Sequence, residues 1–480
     1  MSGDWNWGLL APLAFALIEA VAIVTALRAI MTVRTSQGAI AWSVALVSFP
    51  LLSLPLYYLF GRNRFQGYVL ARRAGDLRIH HLAQNLARDF PPQYLAALGT
   101  PGSAYHALVR LARIPFTRGN RLALLVNGQA TFDAIFDALE TARDYVLVQF
   151  FIVRDDGLGR RLHAALTACA ARGVRVYFLY DAIGSRELPQ TYVDSLRERG
   201  VEMEAFNAGN DRRSRYQINF RNHRKVLVID GHLAFIGGHN VGDEYLGQDP
   251  ALSPWRDTHV SLEGPAVLAA QLTFIEDWHW VTGRVPTLAW QAEAASDHDQ
   301  PVLIAPTGPA DEQETGSLLF TQLIGMARRR LWIVSPYFVP DSSVMNALHL
   351  AVLRGVDVRL LVPQRPDHRL VHLAAQAYYA DAVPAGIRIH RHSKGFLHQK
   401  VVLIDDEIAA VGTVNLDNRS LRLNFEVTVI SACPRFAAEV EAMLEQDFAA
   451  STPLTPEMIN ARRLPARIAC RVARLFSPVL

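Results

Sequence analysis

The chain has 480 residues, of which 50% are hydrophobic and only 19% charged, and its formal net charge is +3. A soluble chain is about 25% charged, so this composition is unusual for one, and the small net charge gives no support to a nucleic-acid-binding protein. Three cysteines, far apart at positions 169, 433 and 470, argue against a disulfide framework or a cysteine-based zinc site.

The first predicted element is a two-helix transmembrane hairpin over residues 1–61. Gly8–Leu27 is almost wholly apolar and long enough, at about 30 Å as a helix, to cross a bilayer core. Ala39–Phe60 is a second uncharged run, interrupted by two prolines. A signal peptide does not fit, because the residues before the first run include Asp4 and no basic residue.

Residues 62–118 form a predicted juxtamembrane linker that is rich in arginine near its start. Its first basic residues are Arg62, Arg64, Arg72, Arg73 and Arg78. Because basic residues favour the cytoplasmic side of a membrane, this segment places the large C-terminal part in the cytoplasm. Arg28 and Arg34, between the two apolar runs, argue mildly for the opposite orientation.

Residues 119–290 and 300–450 are predicted to be two homologous halves. YVLVQFFIVRD, from Tyr145, matches LWIVSPYFVPD, from Leu331, and an RGV segment followed by an apolar run comes next in both halves. Strand-like runs that alternate with helix-like stretches indicate the α/β class. We expect two α/β sandwich halves related by a pseudo-twofold axis, which meet by sheet edge or face, with a proline-rich linker near residues 285–309.

Both halves carry the pattern HxKxxxxD, followed by a Gly-x-x-Asn segment. The motif residues are His223, Lys225, Asp230 and Asn240 in the first half and His398, Lys400, Asp405 and Asn415 in the second. Residues i and i+2 of a strand point to one face, so each histidine lies beside its lysine. A hairpin after the aspartate would return the asparagine to the same place.

This combination suits chemistry at a phosphoryl group. Lysine and asparagine supply the positive charge and amide donors that its oxygens need, and paired histidines supply an attacking nitrogen and a proton donor. Only three of the 48 basic residues are lysines, and two of them are Lys225 and Lys400; the third, Lys394, stays unassigned. With no dense carboxylate cluster in the sequence, we expect neither a metal ion nor another cofactor.

The paired motifs resemble the phospholipase D superfamily, and longer stretches resemble its bacterial cardiolipin synthases. Those stretches include YYLFGRNR, FRNHRKVLVIDG, IGGHNVGDEYLG, WRDTHVSLEGPAV, FLHQKVVLIDD and GTVNLDNRSLRLNFE. The resemblance spans essentially the whole chain. It implies two phospholipase D-like halves and an enzyme of the bacterial cytoplasmic membrane. That enzyme joins two phosphatidylglycerol molecules into cardiolipin and glycerol through a phosphatidyl-histidine.

The resemblance also implies roles for individual residues. His223 would be the nucleophile and His398 the general acid and base, although the reverse assignment stays open. The phosphate would be held by Lys225, Lys400, Asn240, Asn415 and the hydroxyl of Thr413, whose counterpart in the first half is Gly238. Asp257 and Glu426 would orient the histidines. Asp230 and Asp405 belong to the motifs but lie at the turns, where we expect structural contacts.

Three other activities remain open from sequence. A hydrolytic phospholipase D would share every catalytic residue, and a phosphatidylserine synthase differs in its alcohol and donor. A phosphodiesterase nuclease is more distant, because it would not need a membrane hairpin. The expected partners are phosphatidylglycerol, other anionic phospholipids and the membrane, without nucleic acid, and the oligomeric state is open.

Two basic regions complete the sequence. Arginines crowd the approach to the first motif and suggest a basic face, either for anionic headgroups or simply solvated: Arg212, Arg213, Arg215, Arg221 and Arg224. Residues 451–480 form a predicted amphipathic tail, whose helix over 456–475 would lie on lipid or on the domain.

Overall fold

The structure is a computed structural model that describes residues 7–33, 35–61, 90–98, 100–206 and 219–480. It contains a helical N-terminal unit and a larger unit, which holds both motifs. The arginines expected at 62–78, together with Arg34, Arg212, Arg213 and Arg215, lie outside the described residues.

The N-terminal unit is built of three apolar helices, α1 Trp7–Thr32, α2 Ser36–Ser48 and α3 Pro50–Phe60. Within α1, Ala11–Thr32 is long and apolar enough to cross a membrane. Ala26 and Ala29 of α1 cluster with Leu46 of α2 and Tyr57 of α3. The first predicted span is therefore one helix, whereas the second is divided in two.

The division of the second span has a local cause. Phe49 takes a non-helical conformation (φ −138°, ψ 61°) between α2 and α3, as expected because a following proline disfavours the helical region. Pro50 then begins α3, where its missing N–H costs nothing. Ser53 Oγ bridges the break by donating to the carbonyls of Ala45 and Phe49, at 2.8 and 2.6 Å.

The larger unit alternates helices and strands. Its helices are α4 His106–Ala112, α5 Asn127–Thr141, α6 Gly157–Ala171, α7 Gln190–Glu198, α8 Val267–Thr282, α9 Thr315–Met326, α10 Ser342–Leu353, α11 Arg369–Ala382, α12 Asn418–Arg422, α13 Pro434–Ala449, α14 Pro456–Asn460 and α15 Leu464–Arg474.

The strands fall into two runs along the chain. The first run is β1 Thr117–Val126, β2 Tyr145–Phe150, β3 Arg175–Asp181, β4 Val201–Phe206, β5 Arg221–Asn222, β6 Val226–Ile229, β7 Leu233–Gly237, β8 Trp255–Arg256 and β9 Thr258–Glu263. The second run is β10 Gln300–Thr307, β11 Arg330–Val334, β12 Phe338–Val339, β13 Asp357–Pro363, β14 Arg388–His392, β15 Phe396–Leu397, β16 Val401–Ile404, β17 Ile408–Gly412, β18 Leu416–Asp417, β19 Asn424–Ser431 and β20 Ser451–Pro453.

The two halves repeat one strand order. The first half reads β1-β9-β7-β6-β2-β3-β4 from the centre outward, and the second reads β10-β19-β17-β16-β11-β13-β14, followed by β20. They meet edge to edge where β1 pairs antiparallel with β10. This arrangement confirms the predicted α/β class and the internal duplication. The predicted linker was drawn too long, because Gln300–Thr307 pairs with both β1 and β19.

Each half buries its own apolar core between the sheet and its helices. In the first, Val146 and Val148 of β2 pack with Phe132 of α5 and Leu162 of α6. In the second, Leu331 and Ile333 of β11 pack with residues of α9 and α10. Strands such as β2 are buried on both faces, which is why they read as continuous apolar runs.

Candidate active site

Each motif lies on a β-hairpin, as the spacing predicted. β6 pairs antiparallel with β7 in the first half, and β16 pairs with β17 in the second. The histidine and lysine come immediately before the first strand, and the Gly-x-x-Asn segment includes or follows the end of the second strand, so the hairpin returns the asparagine to that end. Both histidines and both lysines are buried.

The strand that leads into each motif pairs with a strand of the other half. β5, just before His223, runs parallel to β19, with Asn222 opposite Phe425. β15, just before His398, runs parallel to β8, with Leu397 opposite Arg256. Continuing each register by one residue brings His223 to Glu426 and His398 to Asp257. The two motifs therefore share one site that both halves complete.

The orienting carboxylates are accordingly exchanged between the halves. His223 Nδ1 lies 2.9 Å from Glu426 Oε2, and His398 Nδ1 lies 2.6 Å from Asp257 Oδ2. The resemblance implied that each carboxylate serves the motif histidine upstream of it in its own half, whereas the structure pairs each with the histidine of the other half. A carboxylate at Nδ1 accepts the proton there and fixes the tautomer, so Nε2 of each histidine keeps the lone pair for chemistry.

Burial holds both histidines neutral. It lowers the pKa of His223 to about 4. Glu426 raises this pKa, but burial and Lys225 together lower it by more. Burial and the charge of Lys400 lower the pKa of His398 to about 3, against the opposing effect of Asp257. The resting site therefore contains two uncharged imidazoles, and one of them must gain a proton before it can act as an acid.

The two lysines place compact positive charges in this buried site. Lys225 Nζ donates to the carbonyl of its own motif histidine at 2.7 Å and lies 5.4 Å from the centre of the Phe151 ring. Lys400 Nζ donates to the carbonyl of His398 in the same way. Burial lowers the pKa of both, to about 8 for Lys400. Neither forms a salt bridge with a carboxylate of the described residues, which leaves their charge available to an anion.

Thr413 and Gly238 occupy matching positions with different surroundings. The Thr413 hydroxyl donates to Glu426 Oε2 at 2.5 Å and accepts from the Val427 amide. A Cβ at Gly238 would lie 2.0 Å from Asp257 Oδ1, so only glycine fits there. The hydroxyl expected on the phosphate thus contacts Glu426, the carboxylate bonded to His223, whereas no side-chain hydroxyl of the described residues contacts Asp257.

The two motif asparagines, Asn240 and Asn415, also occupy matching positions with different surroundings. Both polar atoms of the Asn240 side chain are bonded, since its Oδ1 accepts from the Ile152 amide at 3.1 Å and its Nδ2 donates to the Tyr245 hydroxyl at 2.8 Å. Asn415 is buried beside Asp417, and its Oδ1 has no hydrogen-bond partner among the described residues. The two asparagines thus differ at Oδ1, which accepts a hydrogen bond in Asn240 but, among the described residues, has no partner in Asn415.

The motif aspartates lie at the opposite ends of the strands from the histidines. Asp230 accepts from the amides of Arg143, Asp144 and Tyr145 at 2.7–2.9 Å. Asp405 accepts from the equivalent amides of residues 328–330 at 2.8–3.1 Å. Both have φ near +50°, a conformation that aspartate tolerates better than most residues. They connect the hairpin turn to the start of the neighbouring strand.

The basic face expected before the first motif does not include Arg224. This arginine is 3% exposed, and its Nη1 lies 2.8 Å from the carboxylate of Asp277, which is 0% exposed. Its Nε also donates to the carbonyl of Glu426. Because Asp277 lies 53 residues downstream on α8, local sequence could not reveal the pair.

Aromatic side chains form much of the wall, and sequence analysis assigned none of them. The Phe151 ring lies 4.9 Å from that of His223, and the Trp255 ring lies 5.0 Å from that of His398. In the repeat, Phe151 aligns with Tyr337, whose hydroxyl donates to Asp367. The aligned repeats carried this signal, because the two positions follow the equivalent strands β2 and β11. Among the described residues, no group of His, Cys, Asp and Glu forms a metal site.

Comparison with known proteins accounts for this arrangement. The sequence matches the family described as cardiolipin synthase, PLD-like domain, over residues 135–250 and 320–448. Residues 20–62 match the family described as phospholipase D-nuclease N-terminal. Cardiolipin synthase A of Pseudomonas aeruginosa is 53% identical over 96% of this chain and 95% of its own. The chain belongs to the cardiolipin synthase family.

Further relatives agree with this membership. Cardiolipin synthase A of Pseudomonas putida is 49% identical, over 97% of each chain. The solved structure of phosphatidylserine synthase from Haemophilus influenzae covers 78% of this chain and 100% of its own, with a TM-score of 0.59 and 16% identity. At that identity the likeness shows the fold alone.

Proposed function

We propose that this chain transfers a phosphatidyl group from one phosphatidylglycerol to another, which yields cardiolipin and glycerol. The observation that carries the proposal is the shared site, in which each motif histidine is paired with a carboxylate of the other half. Relatives at about 50% identity over nearly the whole chain are cardiolipin synthases, which supports this choice of substrate.

In the first step, Nε2 of His223 attacks phosphorus and the bond from phosphorus to the glycerol oxygen breaks. His398, protonated at Nε2, gives its proton to the departing oxygen, so that glycerol leaves as a neutral alcohol. Burial and Lys400 keep that proton off the empty site. An anionic phosphodiester beside both lysines offsets this effect, so we propose that substrate and proton bind together.

In the second step, the headgroup hydroxyl of another phosphatidylglycerol gives its proton to Nε2 of His398. Its oxygen attacks the phosphatidyl-histidine, and the bond to His223 breaks. Lys225 and Lys400 would hold the charged phosphate oxygens throughout, with Asn415 and Asn240 lining the site. Thr413 would act by holding Glu426 against His223, through the hydroxyl contact that it makes there.

The products of purified protein on phosphatidylglycerol alone test the proposal. We expect cardiolipin and glycerol in equal amounts. Phosphatidic acid and glycerol without cardiolipin would show a hydrolytic phospholipase D instead. Separate incubations test the other two activities. Phosphatidylserine formed from a cytidine-activated donor and serine, by a protein that makes no cardiolipin, would show a phosphatidylserine synthase. Cleavage of added DNA would show a nuclease. His398→Ala with His223→Ala is the control for a contaminating activity.

We also propose a location in the bacterial cytoplasmic membrane, with the chain crossing more than once and the larger unit in the cytoplasm. The support is the apolar helix α1 and the arginines after the second apolar run. A fluorescent protein fused after Leu480 should fold and fluoresce, whereas alkaline phosphatase at that position should stay inactive. The reverse result would place the catalytic unit outside.

A further inference from the structure

The C-terminal helix α15 covers the second half with one face only. Cys470 and Ala473 are buried on that face. Arg471 and Arg474 bind Asp381 of α11 at 3.1 and 2.5 Å, which fixes the orientation of the helix. The sequence allowed this helix to lie on lipid or on the domain. Its inner face lies on the domain.

The outer face of α15 is apolar and exposed. Leu464, Ile468, Val472 and Leu475 follow helical spacing and are 66%, 55%, 50% and 77% exposed. Among the described residues beyond the N-terminal helices, twelve large apolar side chains are exposed, and six of them lie between 456 and 476. Such a concentration marks an interaction surface.

Basic side chains border this apolar stripe. Arg463 and Arg467 each precede one of its residues and have no carboxylate partner among the described residues. They differ in this from Arg471 and Arg474, which both pair with the carboxylate of Asp381. Two guanidinium groups without a carboxylate partner among the described residues lie beside exposed apolar side chains. Together they complement a surface that has an anionic outer layer and an apolar layer beneath it.

A groove adjoins the stripe. It has a volume of about 640 Å³ and lies between α11, α14 and α15, with Ala380, Ile459, Leu464 and Ile468 among its apolar lining residues. Arg467 and Arg471 line it as well. The groove thus repeats the combination found on the helix surface, since it offers apolar walls and positive charge to the same ligand.

We infer that the outer face of α15, together with this groove, binds the surface of a bilayer that contains anionic phospholipid. The apolar stripe enters the acyl-chain boundary, and Arg463 and Arg467 contact headgroup phosphates. This contact is separate from the N-terminal helices. It does not depend on the reaction proposed above, because it needs neither motif.

An environment-sensitive fluorophore on the full-length protein tests the contact. It is attached to Ile468→Cys in a Cys433→Ser background, since the other two native cysteines are buried. In nanodiscs with phosphatidylglycerol we expect a blue-shifted emission that resists an aqueous quencher. In pure phosphatidylcholine the shift should be smaller. Adding Arg463→Glu and Arg467→Glu should remove the difference between the two lipids.

The control fluorophore is placed at Glu140→Cys, an exposed position on α5 of the first half, and should not respond to lipid. An emission at position 468 that is equal in both lipids and fully quenched would overturn the inference. A blue shift that follows protein concentration and persists in detergent would also overturn it, because a second copy of the chain would then cover the face.

Discussion

At the two reactive histidines, the chemistry depends on what each Nδ1 atom contacts. Glu426 and Asp257 hold these atoms through the side-chain contacts already described, so each carboxylate supports one chemical role. The two roles differ in one respect. In the proposed mechanism, attack by His223 is needed with any substrate, whereas proton donation by His398 matters only when the leaving alcohol is a poor leaving group.

Glu426→Gln and Asp257→Asn should therefore respond differently to the leaving group. With phosphatidylglycerol, we expect both to lose about 10²–10⁴-fold in turnover, as when the orienting acid of a catalytic triad is neutralised. With a phosphatidyl p-nitrophenol ester, Asp257→Asn should regain most of the first-turnover burst and Glu426→Gln should not. Recovery of Glu426→Gln instead would assign the attack to His398.

Lys400 predicts the alkaline limb of the pH profile. Burial lowers the pKa of Lys400 to about 8. The side chain is therefore a charged ammonium below that pH and loses its charge above it. The value of kcat/KM, which reports the free enzyme, should fall above pH 8 by up to about tenfold per pH unit. Lys400→Arg, which keeps its charge, should lack this limb, although its planar group should lower the maximum. A profile that is flat to pH 10 in the unaltered protein would contradict this expectation.

The spacing of each motif was enough to predict that its histidine and lysine lie together, because strand geometry alone decides it. Lys225 and Lys400, the two lysines that belong to the motifs, are buried. Lys394, by contrast, is exposed. The burial of Arg224 could not be predicted, since its apolar surroundings and Asp277 come from elements far along the chain.

Among the elements, the hairpins depend on the motif aspartates. Replacing Asp230 with Ala would leave three backbone amides without a charged acceptor and place alanine at a positive φ. We expect a loss of about 3 kcal/mol in the free energy of unfolding, measured in denaturant on the detergent-solubilised protein.

The activity of the folded fraction separates this structural role from a catalytic one. Asp230→Asn keeps one acceptor oxygen and tolerates the backbone conformation, so it should retain nearly all turnover and part of the stability. A large fall in kcat for Asp230→Asn at full stability would instead implicate the carboxylate in the reaction.

The elements also show where a pattern of residues is insufficient. Helices α6 and α10 begin at Gly157 and Ser342, because Asp156 and Asp341 cap them. The apolar character of residues 39–60 predicts one span. Pro50, however, disfavours the helical conformation at Phe49, so that one helix ends there and another begins. The pairing of β5 with β19 joins short strands about 200 residues apart, and no local periodicity marks such a contact.

For the whole molecule, the relevant property is that one chain contains both motifs and both carboxylates. Mixing His223→Ala with His398→Ala should therefore restore no cardiolipin formation, measured in shared detergent micelles. Restoration to a quarter of the normal rate or more would show that halves exchange between chains. The duplication and the α/β class were predictable at this scale, since the repeats are long, whereas the edge-to-edge meeting of β1 and β10 was one of two arrangements left open.

The exchange of carboxylates between halves has a consequence for the newborn chain. His223 leaves the ribosome 203 residues ahead of Glu426, and β19, which delivers that carboxylate, is among the last strands to be made. Until then the imidazole has no partner to fix its tautomer. Under the proposed mechanism, the site therefore becomes competent only when synthesis of the second half is nearly complete.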